Sequence, residues 1–170
     1  MRKLYHAALR YGSVGTLLIA TMTCGDQRAT TEQPPGSPSL LRCPVAQTQT
    51  TTTLVTALGG IVSLGATSVK IPAGALTAAT SITLTIPASQ YMEIEVKAND
   101  LTSFLFQQSV AVTIDYSRCS AADANKAPLS VWHIDTQTKA RLENMGGTDN
   151  KTSHTITFTT GHLSGYAVAF

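Results

Sequence analysis

The hydrophobic pattern changes abruptly along this chain. Beyond Leu54, aliphatic and β-branched residues alternate with polar ones in short runs. Ile82, Leu84 and Ile86 alternate with Thr83 and Thr85. Val110, Val112, Ile114 and Tyr116 alternate with Ala111, Thr113 and Asp115, and Ile156 and Phe158 with Thr155 and Thr157. A period of two places one set of side chains on each face of a strand. Further strands are predicted near 61–64, 67–71, 91–96, 104–107, 129–134, 141–145 and 165–169, with Gly, Pro, Asn and Asp between the runs. No stretch after residue 54 keeps a period of 3.6 for three turns, so helix should be minimal. About nine or ten short, mainly antiparallel strands in ~115 residues imply an all-β domain. Threonines facing out and aliphatics facing in fit a β-sandwich with a shared core. Trp132, within 129–134, reads as a core anchor, with a binding role as the alternative.

The first 53 residues follow a different logic. Arg2, Lys3 and Arg10 precede a short apolar run, Val14 to Met22. That run is too short for a bilayer core of ~30 Å, which takes ~20 apolar residues. Residues 1–24 therefore read as a signal peptide. Cys24 follows directly, as in a bacterial lipoprotein signal in which the cysteine is lipidated. The alternative is an ordinary signal, with Cys24 lost or left free. Residues 25–53 contain Pro34-Pro35-Gly36-Ser37-Pro38 and Thr50-Thr51-Thr52-Thr53 and few large apolar side chains. Such a stretch buries too little surface to offset its ordering entropy, so it reads as a disordered linker. The folded domain is expected over 54–170, with Leu40 to Val45 held to it through Cys43.

Cysteine count and charge narrow the function. If Cys24 carries lipid, Cys43 and Cys119 remain as a pair in a compartment that permits disulfides. A bridge is expected, with two buried free thiols as the alternative. Neither cysteine sits in a CxxC, so redox catalysis and a thiolate zinc site have no support. The formal charge of +2 includes the signal; without Arg2, Lys3 and Arg10, nine Lys+Arg face ten Asp+Glu. No basic cluster remains, which argues against nucleic-acid binding.

Two blocks carry a resemblance. Gly59-Gly60-Ile61-Val62-Ser63-Leu64 is followed by Val69-Lys70-Ile71-Pro72-Ala73-Gly74-Ala75-Leu76 and Ile82-Thr83-Leu84; near the other end stands His162-Leu163-Ser164-Gly165-Tyr166-Ala167-Val168. Together they resemble the ZU-five module of ankyrins, netrin receptors and tight-junction scaffolds, in its bacterial lipoprotein form, over about residues 58–170. The resemblance implies a β-sandwich and a role in contact or scaffolding. It names no ligand, since fold analogy transfers architecture better than function.

His162-Leu163-Ser164 is similar to the self-cleavage site of some relatives of this module. There His162 would take the Ser164 hydroxyl proton, and the oxygen would attack the Leu163 carbonyl in an N→O acyl shift. A Ser in a turn also bonds local backbone without any chemistry. Gly165 would loosen the turn where strain is wanted. Other chemistry is less supported. His133, Asp135, His154 and His162 are the candidate metal ligands, but no HxH or i,i+4 spacing unites them, so no metal or other cofactor is expected. No GxSxG elbow is present for a hydrolase. The expectation is therefore not a conventional enzyme. It is an exported protein of the bacterial cell envelope, anchored by lipid at the outer membrane or otherwise periplasmic or secreted. Its sandwich would serve an unidentified protein or polysaccharide partner. Self-cleavage and carbohydrate binding are the alternatives.

Overall fold

Threonine and aliphatic alternation builds two facing layers. The structure, a computed structural model, describes residues 39–101, 103–126 and 128–170. The signal segment, the candidate lipidation site Cys24 and residues 25–38 lie outside the described residues. Among the described residues thirteen strands run β1 Arg42–Val45, β2 Gln49–Val55, β3 Gly60–Leu64, β4 Thr67–Ile71, β5 Thr80–Ile86, β6 Ser89–Tyr91, β7 Glu93–Ala98, β8 Phe104–Asp115, β9 Ser130–Ile134, β10 Arg141–Gly146, β11 Thr148–Asn150, β12 Thr155–Leu163 and β13 Gly165–Ala169. A single short helix among the described residues, α1 Ala121–Ala124, follows β8. One sheet has the order β10-β9-β13-β7-β5-β2, a second β11-β12-β8-β4-β3, and β1 pairs with β6 in a small third. The named strand pairs are antiparallel.

The core lies between the two large sheets. Ile82, Leu84, Ile94, Val96, Val131, Tyr166 and Val168 of the six-stranded sheet share one buried cluster with Val62, Val69, Val112, Ile114, Ile156 and Phe158 of the five-stranded sheet. The Phe158 and Tyr166 rings meet across the gap with centroids 4.9 Å apart. The all-β sandwich anticipated from the alternation is thus the fold.

Three sequence expectations need correction. The Thr tract is strand β2 rather than linker, and order reaches back at least to Ser39, whose N–H donates to the Phe170 carbonyl. Composition misleads here because threonine is β-branched and suits a pleated surface without being apolar. Thr50 and Thr52 on the outer face bond Thr85 and Thr83 of β5 through their hydroxyls at 3.2 and 2.9 Å. The strand sits at the sheet edge, where a polar surface also discourages pairing with other chains. The runs predicted near 104–107 and 110–116 are one strand, β8, with a bulge. Thr160 of β12 pairs with Val110 and His162 with Leu105, so Gly161 faces four residues of β8. Trp132 is not in the core. It pairs with Ala167 on the outer face of β9, half-buried, with the Arg141 guanidinium 5.4 Å from its ring centroid. The inward residues of that strand are Val131 and His133, opposite Val168 and Tyr166.

The two halves of the first resemblance block touch. Gly59 has φ +80°, and a Cβ there would collide with the Ile71 carbonyl oxygen and lie 2.7 Å from the Pro72 carbonyl carbon. The Gly74 N–H donates to the Ala57 carbonyl at 2.8 Å. A left-handed glycine pressed against the strand end explains why Gly59 precedes Ile71-Pro72-Ala73 in this geometry. On the outer face, Glu93 is 2% exposed and takes both carboxylate contacts from Lys139 Nζ, at 2.8 and 2.7 Å. Among the described residues no helix is long and apolar enough to cross a membrane.

Candidate functional site

Strand β12 belongs to one layer and β13 to the other, with Ser164 alone between them. The chain therefore changes sheets within one residue. Leu163, on the near side, is buried in the core, and the Ser164 carbonyl accepts from the Val96 N–H at 2.9 Å. Gly165 does not loosen this junction. It pairs with Glu95 on one side and Ile134 on the other, and a Cβ on it would collide with Thr136 Cγ2. Glycine is needed there for close packing.

The Ser164 hydroxyl meets His133, not His162. Ser164 Oγ and His133 Nε2 are 2.7 Å apart. His133 reaches it because Tyr166↔His133 register places that imidazole on the inner face of β9, at the end of the core. Burial, and then the neighbouring His162, hold His133 below the ordinary imidazole range, against the opposing pull of Glu143. A neutral imidazole on a serine hydroxyl is the pairing that nucleophilic catalysis uses.

His162 is occupied elsewhere. Its ring centroid lies 5.1 Å from that of His133, and its Nδ1 is 3.3 Å from Thr160 Oγ1. Its backbone carbonyl accepts from Tyr166 OH at 2.5 Å and from Thr160 Oγ1 at 2.9 Å. Burial pushes the Tyr166 phenol up to about 12, so it stays a donor at neutral pH. These two donors serve the His162 carbonyl, one residue upstream of the Leu163 carbonyl that an acyl shift would attack.

The four candidate metal ligands separate into two kinds. His133 and His162 come together, and Glu143 joins them: one nitrogen of each ring and one carboxylate oxygen lie within 4.8 Å of one another. Asp135 instead closes the β9–β10 turn, accepting from the N–H groups of Gln137 and Thr138 at 2.9 and 2.7 Å. His154 packs edge-on against Tyr116, centroids 5.7 Å apart. Sequence reading missed Glu143, Thr160 and Tyr166. Glu143 faces His133 only because the β9–β10 register shifts between Arg141 and Glu143. The Ser164–His133 side opens on a shallow cleft of about 220 Å³, lined also by Glu95, Asp135, Thr136 and Leu142.

At the other end of the fold, Cys43 and Cys119 form a disulfide with Cα atoms 4.8 Å apart. It fastens β1 to the turn that follows β8. Cys43 is 1% exposed and belongs to the core cluster.

No protein-family model matches the chain, and no curated protein matches it significantly.

Proposed function

We propose that this is an exported protein of the bacterial cell envelope, lipid-anchored through Cys24, whose ZU-five-like sandwich acts as an interaction or structural domain. The observation that carries this reading is the Cys43–Cys119 bridge. Disulfides persist in oxidising compartments and are rare in the cytosol, which agrees with an export signal at residues 1–24. Exposed Leu54, Leu58 and Ile61, all around the β2–β3 connection, supply apolar surface of the kind a protein or polysaccharide partner covers. The experiment is metabolic labelling with a radioactive fatty acid in a Gram-negative host, followed by fractionation. Label on the wild-type chain in the membrane fraction, lost in Cys24→Ser, supports the anchor. An unlabelled wild-type chain recovered in the soluble fraction overturns it.

A second reading, self-cleavage between Leu163 and Ser164, is favoured by the Ser164–His133 bond. In it His133 takes the hydroxyl proton in place of His162. Oγ adds to the Leu163 carbonyl, the C–N bond breaks with the proton passing to the Ser164 nitrogen, and water hydrolyses the ester. Intact-mass measurement decides it: a fragment beginning at Ser164, absent in Ser164→Ala, supports cleavage, and a single uncut chain ends the reading.

A further inference from the structure

We propose that His133, Glu143 and His162 form a binding site for a zinc-class divalent cation that ties the two sheets together at this end of the sandwich. The proposal stands independently of lipidation, and with the cation on Nδ1 of His133 the ring proton lies on Nε2, so a loaded site leaves His133 unable to act as the base for self-cleavage. The three residues come from β9, β10 and β12, so two ligands belong to the six-stranded sheet and one to the five-stranded sheet. Their donor atoms already lie within 4.8 Å of one another. Donors about 2.0–2.1 Å from a tetrahedral ion stand ~3.3 Å apart, so side-chain movement of roughly 1 Å or a little more closes the set.

The surroundings of the two imidazoles match those of ligating histidines. Such a ring usually bonds an outer oxygen with its second nitrogen, which fixes its orientation and tautomer. His133 does this through Nε2 to Ser164 Oγ, and His162 through Nδ1 to Thr160 Oγ1. Thr160 Oγ1 is itself 3.1 Å from the buried Tyr166 hydroxyl, so the support extends into the core. These bonds occupy one nitrogen of each ring, so the proposal assigns the other, Nδ1 of His133 and Nε2 of His162, to the ion. A fourth position is left to water.

The donor chemistry selects the ion class. Two imidazole nitrogens and one carboxylate suit zinc and its neighbours, whereas magnesium and calcium prefer oxygen throughout.

The test uses the tag-free full chain with its disulfide formed and Cys24→Ser, so that no free thiol competes. After chelator treatment and its removal, zinc chloride is titrated calorimetrically, and histidine ring signals are followed by NMR. The expected result is one equivalent bound in the micromolar range or tighter. Binding should weaken by about tenfold or more in both Glu143→Gln and His162→Gln, persist in His154→Gln, and be absent with magnesium or calcium. The His133 and His162 ring signals should move together. Glu143 is exposed, so Glu143→Gln reports on the site without putting the fold at risk. No zinc uptake by the folded chain overturns the proposal. So does uptake that Glu143→Gln and His162→Gln leave unchanged, or that His154→Gln removes.

Discussion

Ser164 and His133 lie 31 residues apart in sequence and share one hydrogen bond of 2.7 Å, which joins the residue linking the two sheets to the inner face of β9. The bond fixes the Ser164 side chain where the chain changes layers, whether or not any chemistry follows. Ser164→Ala should therefore destabilise the domain by about 0.5–1.5 kcal/mol in chemical denaturation. A double-mutant cycle with His133→Phe should return a coupling energy of similar size. Additivity of the two substitutions would mean that the contact contributes nothing.

Two glycines with left-handed backbone should respond very differently to alanine. Gly59 has φ +80° and the Ile71–Ala73 backbone against its Cα, whereas Gly65 has φ +62° and open space around it. Gly65→Ala should cost about 1 kcal/mol, the ordinary left-handed penalty. Gly59→Ala adds a backbone collision and should cost about 2–5 kcal/mol. Urea midpoints with unchanged slope would measure both. Equal losses would contradict the contact between the Gly59 turn and Pro72.

The disulfide should contribute to stability through the unfolded chain. Its two cysteines are separated by 76 positions. Closing a loop of that size adds ~3–5 kcal/mol in the chain-entropy model. Mild reduction, or Cys43→Ser with Cys119→Ser, should lower the melting temperature substantially. Hydrogen exchange should then show β1 losing protection before β5 or β12, because β1 is paired only with the short β6 in its own sheet. An unchanged melting temperature after verified reduction would refute this.

Alkaline pH should find a buried phenol. The Tyr116 side chain is fully buried and its hydroxyl donates to the Asp149 carboxylate. Burial first, then that hydrogen bond and the Asp149 charge, push its pKa well above the ordinary tyrosine value of ~10. A raised acid pKa in the folded state means that the neutral form is the stabilised one. The contribution is complete below about pH 10 and is lost as pH rises from there towards the folded value. Phenolate absorbance should show Tyr116 ionising only together with unfolding, and Tyr116→Phe should remove its share of that step while leaving the share of the buried Tyr166 phenol. Titration of Tyr116 near pH 10 with the fold intact would be the contrary result.

Period-two alternation was a reliable guide wherever one face of a strand is apolar. Ile82, Leu84 and Ile86, and Val110, Val112 and Ile114, are all buried, as their spacing implied. It failed where burial does not depend on apolar character. β2 is held at the sheet edge by backbone pairing and threonine hydroxyls, so its composition resembles that of a linker. It failed again at Trp132, because large apolar residues can also lie on an outer face, here under Arg141.

The cluster around Ser164 shows a different limit. The segment His162-Leu163-Ser164 drew attention in sequence, yet the imidazole on the Ser164 hydroxyl belongs to His133. Strand pairing between β9 and β13 decides that, and the sequence distance between the residues carries no trace of it.

From its residues alone, the chain determined a β-sandwich, a pair of cysteines suited to one bridge, and a histidine and serine two positions apart. Those properties follow from side-chain period and residue chemistry, which are local. Only the tertiary structure decided which imidazole meets Ser164, that Glu143 faces two histidines, and that the Thr tract is a strand. Each of these depends on register: a bulge in β10 or β8, or the pairing of an edge strand, moves a side chain by several ångströms while leaving the local pattern unchanged.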